Sequence, residues 1–256
     1  EGWQLTFFIV GLPGLFVAAL MYYTVREPAR KGVGQDLAEI PLKNVLSYLL
    51  QRKQAYFGHI LGISIFIMVV YALNLWGPTY FIRTFEYSRP EAGWIFGLVM
   101  ISAGTFGLLT AGLLSDKLMA RGIHDAYIRM ILFSMLAIMP CAIALGFIEN
   151  DKLAIVAMAF AIYFSAFQGG ISGGALQLMT PNRMRGQVTA LFLLAANLIG
   201  LGLGPTVIAM VTDYIFMDEA AIGKSIALCT LLLCPTGAFI LWRSMPAIQK
   251  QLAEQG

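Results

Sequence analysis

The sequence predicts an all-α, polytopic membrane protein with seven transmembrane helices. Three observations predict it. Of the 256 residues, 59% are Ala, Val, Ile, Leu, Met, Phe, Trp, Tyr or Cys and 12% are charged, against roughly 45–50% apolar and ~25% charged in a soluble domain. The 17 basic and 14 acidic side chains all lie outside seven long runs. The basic residues also gather on one side of those runs. This composition excludes a water-soluble globular enzyme and a disordered tail. A net charge of +3 is too small for a nucleic-acid partner.

The runs without Asp, Glu, Lys or Arg are 4–25, 54–82, 92–115, 130–148, 153–182, 186–212 and 225–242. A bilayer core takes roughly 20 apolar residues as helix, and a charge at its centre costs about 3 kcal/mol even on lenient scales. Each run is long enough to span, and each is continuously apolar, whereas a barrel strand would alternate. Helix is also the form that pairs every backbone group within the segment. Trp3, Trp94 and Trp242 lie near run ends, as interfacial belt residues do. Pro13, Pro140, Pro205 and Pro235 lie inside spans and predict kinks. Glycines four residues apart, at 93/97, 169/173, 170/174 and 200/204, predict close helix packing. Cys141, Cys229 and Cys234 sit in apolar runs and are expected as packing residues. Their spacing implies neither a disulfide framework nor a metal site. No cofactor or catalytic residue is expected.

Orientation follows from the loops. With 26–53 on the cytoplasmic side, that side holds thirteen Lys and Arg: six in 26–53, three in 116–129, two in 183–185 and two after 242. The other side holds four, Arg83, Arg89, Lys152 and Lys224. The positive-inside rule then puts residue 1 outside and the C-terminus in the cytoplasm. A chain starting at Glu1 outside the membrane, without a leader, is expected to be a fragment that lacks an odd number of preceding spans.

The run Gly112-Leu113-Leu114-Ser115-Asp116-Lys117-Leu118-Met119-Ala120-Arg121 joins a small-residue helix end to an acid and two bases. It resembles the Gly-x-Leu-Ala-Asp-Arg-x-Gly-Arg-Arg signature of the major facilitator superfamily (MFS), in its weaker second copy. Met119 and Ala120 depart from the signature and Lys117 replaces its Arg. Arg26-Glu27-Pro28, Trp76 to Arg83, Arg185-Gly186-Gln187 and Asn197 to Pro205 resemble the spinster-like branch. The resemblance implies that the seven spans match helices 6–12 of a twelve-helix transporter. Residues 1–25 would be the last helix of an N-terminal bundle and 26–53 the cytoplasmic linker. Residues 54–243 would form the C-terminal six-helix bundle and 244–256 a cytoplasmic tail, with five helices and most of the N-terminal half missing. It implies secondary active transport by alternating access in a bacterial inner membrane. The partners would be the bilayer, a lipid-like or small organic anionic solute, and a coupling ion such as H+.

Polar residues inside spans are the site candidates, because lipid does not solvate them. Tyr71, Asn74 and Pro78 share one face of the second span. With Trp76, Gln168 and Asn197 they are the expected cavity lining, and Arg83 at the outer end of the second span would attract an anionic head group. Gly112, Asp116, Lys117, Arg121 and Arg185 are the expected cytoplasmic gate, which would hold the inner face closed in the outward-open state. No acid lies in a span core, so a coupling carboxylate is expected elsewhere. His59 is expected near the inner interface in a structural role.

Two alternatives come from other classes. A seven-helix receptor fits the orientation, but the seventh span has no Lys and no receptor motif stands at the span ends. Gly170-Ile171-Ser172-Gly173 resembles a rhomboid protease nucleophile, which takes its His from a later helix, and no His follows residue 124. The orientation is testable: a reporter active only in the cytoplasm, fused after residue 256, is expected to be active. Activity of a periplasm-only reporter there would reverse the topology.

Overall fold

The computed structural model describes residues 2–25 and 40–255. Among them are seven helical segments long and apolar enough to cross a membrane, and no strand. The chain divides into two units, residues 1–39 and 40–256. The first contains α1 (Gly2–Thr24), which continues through Pro13. The trio Arg26-Glu27-Pro28 and the first part of the expected linker lie outside the described residues.

The second unit begins with α2 (Leu42–Gln51), whose Val45 and Leu49 are buried. The expected linker therefore contains a packed helix. The second span is α3 (Lys53–Phe85). The third, Arg89–Ala120, comprises α4 (Arg89–Val99), a π-helical stretch at Met100–Gly104 and α5 (Thr105–Ala120). The fourth is α6 (Ala126–Ala144), and the fifth divides into α7 (Asp151–Ser165) and α8 (Phe167–Met179). The sixth, Asn182–Phe216, contains α9 (Arg185–Ala195) and α10 (Gly202–Met210) with π-helical stretches at Ala196–Leu201 and Val211–Phe216. The seventh ends in α11 (Ile222–Gln255).

Local chemistry sets the ends. Ser88 and Glu91 form a reciprocal capping box that starts α4. The Asn150 side chain accepts from the backbone of Lys152 and Leu153 and starts α7. Gly122, at φ 86°, closes α5: its N–H donates to Met119 O, and the Ile123 N–H donates to Leu118 O. That pair is a Schellman ending, and it needs the left-handed residue glycine supplies.

Within the second unit the second span is the hub, and with the seventh it is the most buried; the third is the least buried of that unit's six. Three aromatic donors on α3 cap carbonyls of other helices. Tyr56 Oη donates to Met179 O at 2.7 Å, Trp76 Nε1 to Pro205 O at 2.9 Å and Tyr80 Oη to Leu145 O at 2.9 Å. Met179 and Leu145 stand at helix C-termini, where carbonyls lose their intrahelical donors. In hydrocarbon such groups have no water to turn to.

Several boundaries differ from the sequence expectation. Residues 244–255, expected as a tail, continue α11 and pack. Ile248 and Gln251 are buried, Gln249 donates to Asp125, and Tyr48 donates to Gln251. The helices run on through Pro140, Pro205 and Pro235, and the interruptions fall instead at the π stretches and at Ala166. Cys141 is half-buried, while Cys229 and Cys234 are buried.

The glycines also sort differently. A Cβ on Gly204 would meet Met68 Cα at 2.8 Å and its carbonyl closer still, and one on Gly200 would strike Ile67. These seat the sixth span on α3 as expected. Gly62 and Gly237, which were not among the expected packing glycines, face each other: a Cβ on Gly237 would meet Gly62 O at 2.8 Å. Gly93, Gly97, Gly112 and Gly173 have nothing within 4 Å, so within this chain they seat no helix. We therefore expect Gly204→Ala to destabilise the chain by about 1–3 kcal/mol and Gly93→Ala to change little, as read by thermal unfolding in detergent.

Candidate functional site

The cavity candidates fall into three places. Tyr71 of α3 and Asn197 at the start of a π-helical stretch are brought together: Tyr71 Oη donates to Asn197 Oδ1 at 3.4 Å, and Asn197 Nδ2 donates to Leu193 O at 2.8 Å. The wider turn of a π segment displaces its side chains from the α register, and such turns recur at functional sites. The Asn197 side chain is exposed, in the middle of the run 186–212. Asn74, on the same face of α3 as Tyr71, is half-buried and its Oδ1 has no hydrogen-bond partner.

Trp76 points to the sixth span, through its bond to Pro205 O. Arg83 lies above the Trp76 ring, 5.9 Å from its centroid, and forms an ion pair with Glu219 at 3.2 Å. Its charge is thus already engaged at the C-terminal end of α3. Gln168 sits on α8, where it accepts from Ser172 Oγ at 3.5 Å. No hydrogen bond joins Gln168 to Tyr71 or Asn197 among the described residues.

At the other end of the bundle, Asp116 Oδ1 accepts from Tyr127 Oη at 3.1 Å. Lys117 and Arg121 are exposed, and Arg185 Nε donates to Thr180 O at 3.1 Å. The structure gives no ion pair among these gate candidates. The paired charges here are others: Arg129 Nε and Gln249 Nε2 both donate to the Asp125 carboxylate at 2.8 Å. This ties the start of the fourth span to the end of the seventh. Burial opposes ionisation of Asp125, yet the bonds from Arg129 and Gln249 outweigh it and hold the carboxyl below the usual carboxylate range. A cavity of about 680 Å³ opens beside this network, lined in part by His124, Asp125, Arg129, Arg185 and Gln249. Asp125 and Arg129 carried one sequence signal, the four-residue helical spacing of acid and base. Tyr127 and Gln249 carried none.

The rhomboid-like alternative has no nucleophile–base pair. Ser172 Oγ donates to Gln168, and neither nitrogen of His59 has a hydrogen-bond partner. No group of His, Cys, Asp and Glu among the described residues could hold a metal ion.

Seven helical spans from which charge has been swept define an integral membrane protein. Residues 1–205 match the Major Facilitator Superfamily, and the chain belongs to that superfamily. It is 26% identical to an MFS-type efflux pump of Mycolicibacterium smegmatis, across 99% of this chain and 59% of the pump. Its fold is similar to two crystal structures of a bacterial homolog of the human lysosomal transporter Spinster, both inward-facing. The unoccupied form gives a TM-score of 0.61 and the occupied form 0.58, each at 20% identity over the whole of this chain. The chain spans about three-fifths of the length of these relatives. This membership leaves the receptor and protease alternatives without support.

The Asp125 network gives a pH prediction. A carboxyl whose folded pKa is lowered contributes stability above its unfolded pKa and loses it as pH falls through the folded pKa. We expect acid to weaken the bundle progressively below about pH 4. Asp125→Asn should flatten that part of the profile in pH-dependent thermal unfolding, and an unchanged profile would remove Asp125 from the account.

Proposed function

We propose that the chain is the C-terminal part of a secondary active transporter that works by alternating access. One observation carries this reading: Asn197, mid-span and exposed, bonded to Tyr71 across two helices. A bare amide facing hydrocarbon is costly, and such residues typically face a water-filled cavity. The sparse burial of the third span supports the reading, since a second bundle closing on that face would form the other wall. Substrate sites of such carriers lie near the midplane between two bundles.

The solute we infer is a lipid-like or small organic anion, with an ion such as H+ as the coupling partner. The resemblance of the span-end motifs to the spinster-like branch suggests the lipid-like class, and likeness to an efflux pump supports outward movement. Arg83 and Trp76 would form the outer polar rim. Gly112, Asp116, Lys117, Arg121 and Arg185 would form the cytoplasmic gate, with Asp116 exchanging its Tyr127 bond for a basic partner in the outward-open state. Residue 1 would lie outside and the C-terminus in the cytoplasm of a bacterial inner membrane.

The full-length protein in proteoliposomes, offered lysophospholipids and organic anions with and without a pH gradient, tests this. We expect gradient-dependent movement of one class. Asn197→Ala should reduce its rate about fivefold, the loss of one hydrogen bond of about 1 kcal/mol, and Asp116→Asn should slow gating. Wild-type rates in Asn197→Ala would remove this residue from the cavity, and wild-type rates in Asp116→Asn would remove the gate.

A further inference from the structure

His59 is fully buried in the second span, and both its ring nitrogens lack a hydrogen-bond partner among the described residues. The sequence placed it near an interface, where it would reach water; the structure places it inside the bundle. A buried donor or acceptor left unpaired costs about 1–3 kcal/mol, so a native one calls for a physical reason. An ionisable side chain inside a membrane bundle is a functional group by default.

Its surroundings supply the reason. The imidazole lies against the Phe192 ring of α9, with centroids 5.9 Å apart. Its neighbour Gly58 abuts Ser244 of α11. The Ser172 backbone of α8 approaches the imidazole without the alignment of a full hydrogen bond. No ion pair among the described residues involves the ring. Toward the start of α3 stand Tyr56, engaged with Met179 O, and Arg52, which lies over the Tyr48 ring. Arg243 of α11 stands at the same end, its carbonyl accepting from Gln54. A protonated ring here would therefore need a carbonyl, not a carboxylate.

Helix α8 can provide one. It begins after the break at Ala166 and has two glycines on each side of the Ile171-Ser172 pair. A Cβ on Gly173 would meet nothing within 4 Å and one on Gly169 only Leu108 Cδ1 at 3.8 Å, while Gly170 and Gly174 lie against Leu108 and Tyr127 side chains. Glycine weakens a helix by about 1 kcal/mol relative to alanine, so this segment can shift its carbonyls at low cost. Ser172 also donates to Gln168, a cavity candidate.

We propose that His59 is a proton-binding site, and that proton uptake repositions the glycine-rich helix α8 by drawing the Ser172 carbonyl onto the ring. Neutral imidazole takes one proton from hydronium at the inner end of the bundle, leaving a water molecule, and the N–H so gained donates to that carbonyl. The role in coupling rests on the transport reading above, but the proton site itself does not.

The chain has only two histidines, so His124→Gln leaves a single imidazole. In ring-15N-labelled protein in nanodiscs, His59 is expected to change protonation state between about pH 8 and about pH 4. Amide exchange of α8, corrected for intrinsic rates, should change in step. His59→Gln should abolish that step while remaining monodisperse; if it fails to fold, the correlation in the His124→Gln protein decides alone. An imidazole that keeps one protonation state throughout, or that titrates with α8 exchange unmoved, overturns the proposal. In proteoliposomes, stimulation by a pH gradient should fall about tenfold in His59→Gln. Unchanged stimulation in a folded variant sinks the coupling role alone. A wild-type protein that moves no solute sinks the transport reading and leaves the titration to stand.

Discussion

Hydrocarbon solvates neither a charge nor an unpaired peptide group, and the rest of this structure depends on that. It accounts for the seven charge-free runs and for their helical form. It also accounts for the aromatic donors of α3. Beside α3 a phenol reaches the carbonyl at two helix ends, Tyr56 at Met179 and Tyr80 at Leu145, and the Trp76 indole reaches the Pro205 carbonyl within the sixth span. In water these carbonyls would be hydrated, and Phe would serve in place of Tyr. Here the second span contributes to three neighbours a service that lipid withholds.

The same solvent removes the usual force for helix association, because tails are as apolar as leucine. Contact must come from fit. Gly62 against Gly237 and Gly204 against Met68 bring backbones to distances that any side chain would forbid. Exposed Leu61, Leu75 and Phe239 cover the outside, so that apolar side chains both fill the interior and face the lipid.

The number and order of the spans were legible because composition alone encodes them. Their inner details were not. Helix α2 was hidden in a polar stretch because its apolar face is only a few residues wide. The packed end of α11 was hidden because Gln249 and Gln251 read as solvated until their partners, Asp125 and Tyr48, are placed beside them. Glycine spacing tells that helices can touch, not which do: Gly93 and Gly97 have open space around them, while Gly58 and Gly62, at the same spacing, lie against α11. The break at Ala166 has no proline to announce it. At the candidate site, Tyr71 and Asn197 were each legible as polar residues in apolar runs. Their pairing depends on the register of two helices separated by 126 positions, which no local pattern carries. His59 was visible as a residue but not as a buried one, because burial is set by α8, α9 and α11 together.

The central claim is that a slab of hydrocarbon covers the charge-free runs. Scanning single cysteines with a membrane-impermeant maleimide in intact cells or vesicles tests it most directly, in a background without the native three. The account predicts no labelling at Leu61 or Leu75, although both are exposed at the surface of the chain, and ready labelling at Glu86 from one side of the membrane. Efficient labelling at Leu61 and Leu75 from the aqueous phase would contradict it.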